Sequence, residues 1–404
     1  MGSNTKKSRS PNREYIRVST ASRLMAGYFN EHGVNMAGSS VCGCGRWKAY
    51  GRDTNTAEII HDHDGARFDG HFKCGSVWVC SRCGNERVSQ TRSWLRAALI
   101  PAIDANNMVA SMMTFTMAHT YDGDWSLSID MLLAAYRLFD RQMLRYFKKI
   151  GCVGKLKSLE APVGRNGIHG HLHVLMVYSA GMDISDFENT ARTEWDKAIS
   201  KVGATCNEHG FDLKLNATAD YLAKHDIAHE MANQNTKAAR NKGRTLGQLL
   251  DLAGKGDKQA SAEWLRAIKA LQGRSRFHAG DIAKKLGIPN CTEWENVERQ
   301  EEMSERNADM PPPTRITYPL RDHLKATRPD SNRPALAMIL RAAREGNADK
   351  VHRMVKALCD EVERSDLLRP IACPQSFWDW HDDHFQKIIE DAAGAGLCFH
   401  PHDL

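Results

Sequence analysis

The segment Asn166–Met176 reads NGIHGHLHVLM, and the alternation of histidines with apolar residues in it decides the fold that the sequence predicts. His169, His171 and His173 occupy every second position, and apolar residues or glycine fill the places between them. Side chains two residues apart in a strand share a face, so we expect the imidazoles on one face and the apolar side chains in the core. The Asn-Gly dipeptide before the row is a strong hairpin signal. The segment therefore predicts a strand of an antiparallel hairpin.

The histidine row indicates a metal site. Neutral imidazole is a favoured ligand of transition metals, and two imidazoles on one strand can bind one ion. Glu160 lies on the strand-like segment before the hairpin, so the chain can return its carboxylate beside the histidines. Such a ligand set leaves open positions on a divalent ion, which could polarise a phosphate oxygen. The alternatives are a histidine-rich strand face exposed to solvent and a solvent-facing charge at Glu160.

A tyrosine downstream is a candidate nucleophile. Tyr221 lies in a helical pattern, and Lys224 follows on the same face, where its ammonium would lower the pKa of the phenol. Arg240, Lys242 and Arg244 come next and could bind phosphates beside the site. The alternatives are a buried core tyrosine and a solvated basic helix face.

The cysteines cluster near the N-terminus. Cys80 and Cys83 have the C-x2-C spacing of a structural zinc site, and a second pair from Cys42, Cys44 and Cys74 must complete four ligands. We find no secretory signal and no apolar stretch of membrane-spanning length, so we expect a reducing cytoplasm, where thiols stay free or bind metal. The alternative is a set of unligated thiols.

Composition and pattern give the organisation of the chain. Its 404 residues are long enough for two or three domains, and its net charge of +6 is compatible with binding nucleic acid. Strands alternate with flanking helices, which predicts an α+β fold with an antiparallel sheet. A triple proline near residue 311 marks a linker. The predicted parts are a basic flexible tail (1–20), a cysteine-rich zinc-binding module (21–95), a central α+β domain (96–305), and a linker with a helical C-terminal region (306–404).

Three motifs together resemble a known family. MMTFTMAH, NGIHGHLHVLM and YLAK stand in the order of the three motifs of rolling-circle replication initiators, and HLH has the histidine–hydrophobic–histidine form of HUH endonucleases. CGSVWVCSRC resembles a block of the plasmid and phage Rep proteins that carry a cysteine-rich N-terminal region. GRTLGQLLDLAGKGD resembles the helical stretch that follows the tyrosine in those proteins. The resemblance covers about residues 40 to 290.

The resemblance implies an HUH nicking domain with a central antiparallel sheet flanked by helices. Tyr221 would attack single-stranded origin DNA, form a 5′-phosphotyrosine and free a 3′-hydroxyl. His171 and His173 would hold Mg²⁺ or Mn²⁺ with a third ligand, which falls most naturally on Glu160, with His169 as the competitor.

The same resemblance selects the zinc ligands and the partners. It places the structural zinc on Cys44, Cys74, Cys80 and Cys83, with Cys42 as the alternative to Cys44. The expected partners are single-stranded and supercoiled origin DNA, with a host helicase and replication machinery, and no membrane. Two other functions stay open: an HUH relaxase or transposase with the same chemistry, and a zinc-dependent DNA-binding regulator without catalysis. Relaxases usually carry the tyrosine before the histidines, and the regulator would leave the histidines unused.

Overall fold

The computed structural model describes two compact units. Unit 1 comprises residues 1–83 with 311–404, and unit 2 comprises residues 84–310. Both combine helices with antiparallel strands, so the predicted α+β class is confirmed. The described residues are 11–33, 36, 38–49, 51–52, 55–62, 65–215, 243–294, 296–297, 312–330 and 333–366.

The elements are numbered here in chain order. The strands are β1 Thr56–Asp62, β2 Gly65–Asp69, β3 Met108–Phe115, β4 Gly154–Glu160, β5 Val163–Gly164, β6 Gly167–Ile168, β7 His171–Ser179, β8 Phe211–Lys214, β9 Phe277–His278 and β10 Thr314–Pro319. The α-helices are α1 Pro11–His32, α2 Ser81–Trp94, α3 Ile100–Ala105, α4 Trp125–Gln142, α5 Leu144–Lys149, α6 Phe187–Lys201, α7 Leu246–Ala253, α8 Lys258–Leu271, α9 Ile282–Lys285, α10 Leu320–Ala326, α11 Ala335–Ala342 and α12 Ala348–Asp366.

Unit 1 is built on a three-stranded antiparallel sheet with the strand order β10-β1-β2. Ile59 in the central strand pairs with Ile316 of β10 and with Phe68 of β2, and all three side chains are buried. Helix α1 packs against α11, and α12 packs against α10, α11 and β10. The sheet therefore joins an early and a late part of the chain in one core.

This arrangement differs from the predicted division into consecutive parts. Helix α1 begins at Pro11, so the predicted flexible tail 1–20 overlaps a helix whose Val18 is fully buried. The predicted C-terminal region contributes β10 to the sheet of the cysteine-rich module. Its helices α11 and α12 are separated near Gly346, as the sequence predicted, where a left-handed φ of 67° suits glycine.

Unit 2 contains a five-stranded antiparallel sheet with the strand order β8-β3-β7-β4-β9. The histidine strand β7 is central, because it pairs with β3 on one side and β4 on the other. On one face, Leu175 and Val177 join a buried cluster that includes Trp94. On the other face, Phe115 of β3 contacts Phe139 of α4 and Trp195 of α6. Helices therefore cover both faces, which leaves the histidine end of β7 as the polar part of the sheet.

Local interactions set the start of α4 and the hairpin before β7. The carboxylate of Asp124 accepts hydrogen bonds from the backbone amides of Ser126 and Leu127, so α4 begins at Trp125. The Asn-Gly dipeptide closes the two-residue loop of the β5–β6 hairpin, and Gly167 has a left-handed φ of 88°. That hairpin returns the chain from β4 to β7, and the two strands then pair antiparallel.

Candidate metal centres

The four predicted zinc ligands converge in unit 1. The Sγ atom of Cys44 lies 3.8 Å from that of Cys83 and 3.6 Å from that of Cys80, and the Sγ atoms of Cys74 and Cys83 are 3.8 Å apart. All four sulfur atoms lie within 4.8 Å of one another. Tetrahedral zinc with Zn–S bonds of about 2.3 Å requires sulfur atoms about 3.8 Å apart. The cluster therefore has the donor set and the dimensions of a structural zinc site.

Local structure places each sulfur. Cys44 lies in a turn just after the 3-10 helix Ser39–Cys42, and Cys74 lies in the loop that follows β2. Cys80 precedes α2, and Cys83 lies in its first turn. The positive end of the helix dipole favours thiolate there, which is the form that binds metal.

Hydrogen bonds within the cluster shift the pKa values of Cys44, Cys74 and Cys80 in opposite directions. Hydrogen bonds from Cys74, Cys80 and Cys83 lower the pKa of Cys44, and the Arg82 guanidinium lowers it further. The hydrogen bond with Cys44 raises the pKa of Cys74 and of Cys80. Ionising one of these thiols thus makes ionisation of its neighbours less favourable, and a bound cation would offset that cost.

Cys42, the alternative ligand, is not part of the cluster. Its side chain is buried, and its Sγ donates to the carbonyl of Ser22 at 3.6 Å. Cys44 therefore completes the four-sulfur set.

The side chains predicted to bind the catalytic ion lie on two paired strands of unit 2, β7 and β4. The Nε2 atom of His173 lies 3.1 Å from Oε2 of Glu160, and its Nδ1 atom lies 3.2 Å from Oγ1 of Thr114. Glu160 is the backbone partner of His171, whose ring is parallel to that of His173 with centroids 6.0 Å apart. The hairpin thus returns the carboxylate beside the histidines, as the sequence predicted.

His169 lies outside the strand. Its backbone amide donates to the carbonyl of Pro162, and β7 begins only at His171. The Nε2 atom of His169 lies 3.3 Å from Oγ1 of Thr116, and its Nδ1 atom lies 3.2 Å from Nε2 of His119. The expected row of three on one strand face is therefore two residues long. The ring of His169 still lies beside that of His171, with centroids 4.1 Å apart, whereas Glu160 contacts His173, so both stay candidates for the third ligand.

Burial keeps these imidazoles in their neutral, ligating form. It lowers the pKa of His171 to about 3 and that of His169 to about 4, with neighbouring histidines acting in the same direction. Arg276 is also buried, and burial lowers the pKa of its guanidinium to about 10. Attraction to the carboxylate of Glu160 opposes this lowering. The site thus combines largely buried imidazoles with one carboxylate and one nearby guanidinium.

The two candidate centres differ in how far their ligands converge. Over the described ranges, the four cysteines are the only group of three or more metal-binding side chains whose ligand atoms all lie within 4.8 Å of one another. The histidines and Glu160 contact one another in pairs. Their donor set of imidazole and carboxylate fits Mg²⁺ or Mn²⁺ less closely than the sulfur cluster fits zinc.

Most of the predicted nucleophile and DNA-binding residues lie outside the described residues: Tyr221, Lys224, Arg240 and Lys242. Arg244 is described, and its backbone pairs with Val163. Its guanidinium forms an ion pair with Glu263, a buried carboxylate that also accepts from Gln259. This pairing engages Arg244 inside unit 2, and its contact with DNA stays a prediction.

Sequence reasoning missed the residues that support the histidines. Thr114 and Thr116 are two positions apart on and just beyond β3, beside β7, so their hydroxyls reach His173 and His169. His119 follows three residues later. The sequence did carry one signal for the two threonines: they alternate with Phe115 in TFT, in the segment that pairs with the histidine strand.

Comparison with known proteins adds no relative: no family model, no curated protein and no solved structure matches the chain. Among the helices that the structure describes, none is both long and apolar enough to span a membrane.

Proposed function

We propose that the protein is an HUH-type nicking and joining endonuclease that initiates rolling-circle DNA replication. The observation that carries the proposal is the meeting of His171, His173 and Glu160 across β7 and β4, the central strands of an antiparallel sheet. A pair of imidazoles and a carboxylate is the ligand set that leaves open positions for a phosphate oxygen.

The residues of the chain have distinct roles in this proposal. His171 and His173 supply imidazole nitrogens, and Glu160 supplies the negative charge that a hard divalent cation prefers. The Thr114 hydroxyl orients the ring of His173 through its far nitrogen, which is how supporting hydrogen bonds fix metal-binding histidines. When bound, Mg²⁺ or Mn²⁺ would act as a Lewis acid on the scissile phosphate.

Tyr221 is the proposed nucleophile. Its phenol oxygen would form a bond to phosphorus while the bond from phosphorus to the 3′-oxygen breaks, and the departing oxygen takes up a proton as a 3′-hydroxyl. Lys224, three residues further along the chain, would favour the phenolate. Tyr178 on β7 is a poor competitor, because it is buried, bonds to Ser111 at 3.0 Å and has a pKa raised by burial.

DNA is the proposed partner. The net charge of +6 favours association with phosphates, and Arg240 and Lys242 follow the proposed nucleophile in the chain. The four-cysteine cluster would hold zinc and order the N-terminal module. Host helicase and replication machinery are the protein partners that this function implies.

The experiment uses the full chain, Mn²⁺ and a randomised single-stranded DNA library labelled at the 3′ end. A 5′-phosphotyrosine retains the fragment downstream of the nick, so the 3′ label moves with the protein on a denaturing gel. We expect a labelled adduct from the wild type and none from Tyr221→Phe. Tyr146→Phe is the matched control, since its hydroxyl bonds to Asp186 away from the histidines, and it should retain the adduct.

The other outcomes distinguish the alternatives. DNA binding without an adduct in any variant would favour the zinc-dependent regulator, whose support is the four-cysteine cluster. An adduct that maps by mass spectrometry to a residue other than Tyr221 would contradict the nucleophile assignment.

A further inference from the structure

The segment formed by α4 and α5 carries a row of positive charge on its exposed side. Its members are Arg137, Arg141, Arg145 and Lys148, and all four are exposed. Steps of four and three residues place side chains on one side of a helix. Met143 lies between the two helices with right-handed helical angles (φ −80°, ψ −3°), and its carbonyl accepts from the amide of Phe147. The helical path thus continues from α4 into α5, and these four cations form one basic stripe.

The basic stripe lies opposite the face that holds the segment on the sheet. Four other side chains of the segment are buried: Tyr136, Phe139, Met143 and Phe147. They also recur at steps of three and four residues, and at about 3.6 residues per turn they are offset from the cations by about half a turn. The apolar face is therefore committed to the core of unit 2, and the charged face is the one that a partner can reach.

The charge of the stripe is not neutralised within the described part of the chain, where no carboxylate pairs with any of its four cations. Asp140 is the one acidic residue between Met131 and Lys149, and it binds Lys155 and Tyr136 instead. Like charges four residues apart on a helix repel one another. A bound polyanion would relieve this repulsion.

Three features favour the backbone of a DNA duplex as that polyanion. Three of the four cations are arginines, whose planar guanidinium donates two parallel hydrogen bonds to a phosphate. Single strands bind by stacking bases on aromatic side chains, but the rings of Tyr136, Phe139 and Phe147 are buried. The ring of Tyr146 is held by a hydrogen bond to Asp186. The stripe is about 16 Å long, over which one strand of a duplex carries about five phosphates.

An anionic membrane is a poorer fit for the same surface. An amphipathic helix binds a lipid surface by inserting its apolar face among the acyl chains. The apolar face of α4 and α5 is already packed in the protein core, where Phe139 contacts Phe115.

We propose that the basic stripe binds the sugar–phosphate backbone of double-stranded DNA, at a distance from the histidines. The first half of α4 passes the histidine end of β7, where a Cβ added at Gly170 would meet Ile129. A Cβ added at Gly151, just after α5, would meet Ser179 at the other end of β7. The stripe therefore leads away from the metal ligands. Contacts to phosphates alone make this binding independent of base sequence. The choice of DNA rests on the proposed function, whereas binding by the stripe does not require nicking.

The test measures binding of the zinc-loaded full chain to a labelled duplex of about 20 base pairs by fluorescence anisotropy, over a range of salt and without added Mg²⁺ or Mn²⁺. We expect Arg141→Gln with Arg145→Gln to weaken binding. The slope of log Kd against log salt should fall by about two, because each lost phosphate contact removes about one. Arg141→Lys with Arg145→Lys should keep the slope. His171→Ala with His173→Ala should bind the duplex as the wild type does.

Lys197→Gln with Lys201→Gln is the matched control, because it removes two exposed cations from α6 and should leave the slope nearly unchanged. Circular dichroism checks the fold of each variant. An equal fall of the slope in the control would overturn the proposal, since net charge alone would then explain the binding. So would a larger loss for a single strand of the same length, or a loss of binding to anionic phospholipid vesicles with duplex binding retained.

The two proposals fail in different ways. An unchanged duplex slope in the Arg141→Gln and Arg145→Gln variant, with the covalent adduct still formed, would count against the basic stripe alone. Duplex binding that depends on the stripe, with no adduct formed by the wild type, would count against the nuclease alone.

Discussion

Replacing Cys44 by serine should remove the zinc and with it the fold of the surrounding module. The Sγ atom of Cys44 contacts those of both Cys80 and Cys83, so the substitution takes away the sulfur at the centre of the cluster. A serine hydroxyl does not ionise at neutral pH and is a poor replacement. Structural zinc contributes about 10–16 kcal/mol in small zinc modules. That is comparable to the whole stability of a typical domain, about 5–15 kcal/mol.

Two measurements check this expectation. Metal analysis should find one tightly held zinc in the wild type and none in Cys44→Ser. Thermal unfolding of the wild type should show a transition that a chelator removes and that the variant lacks. Cys42→Ala is the matched control, because that thiol is also buried two residues away but bonds to a carbonyl, and it should keep both zinc and transition. Two results would show that the cluster is not a structural zinc site. One is stoichiometric zinc in Cys44→Ser, and the other is unfolding of the wild type that the chelator does not change.

Further predictions concern the histidines. His173→Ala should abolish nicking; because the ring is buried against Glu160 and Thr114, circular dichroism must show that the variant keeps its fold, and nicking by the folded variant with a chelator present would contradict the metal assignment. Glu160→Ala should reduce Mn²⁺ affinity more than His169→Ala, as judged by calorimetry, and the reverse order would make His169 the third ligand. His323 is fully buried, and burial lowers its pKa to about 3. Its folded pKa lies below the unfolded value of about 6.5, so stability is present above pH 6.5 and is lost as the pH falls toward 3, by up to about 1.4 kcal/mol per pH unit. Urea unfolding between pH 7 and 4, with zinc content measured at each pH, should show a shallower dependence in His323→Gln.

Local elements of the fold could be predicted, and their long-range assembly could not. The Asn-Gly turn acts within a few residues, so the sequence shows where the hairpin forms. The pairing of β1 with β10 joins segments about 250 residues apart, for which periodicity carries no information. The predicted consecutive division therefore separated two parts that share one sheet.

The candidate site shows the same limit at the scale of single side chains. Period-two parity holds only while the backbone stays extended in a paired strand. It places His171 and His173 correctly because both lie in β7, and it fails for His169, which precedes the strand and turns toward His119. His169 therefore contacts His119 as well as the ring of His171, whose centroid lies 4.1 Å away. The side chains that His169 meets depend on where the strand begins, and that position is set by the hairpin and by the hydrogen bond from His169 to Pro162 rather than by the alternation of the sequence.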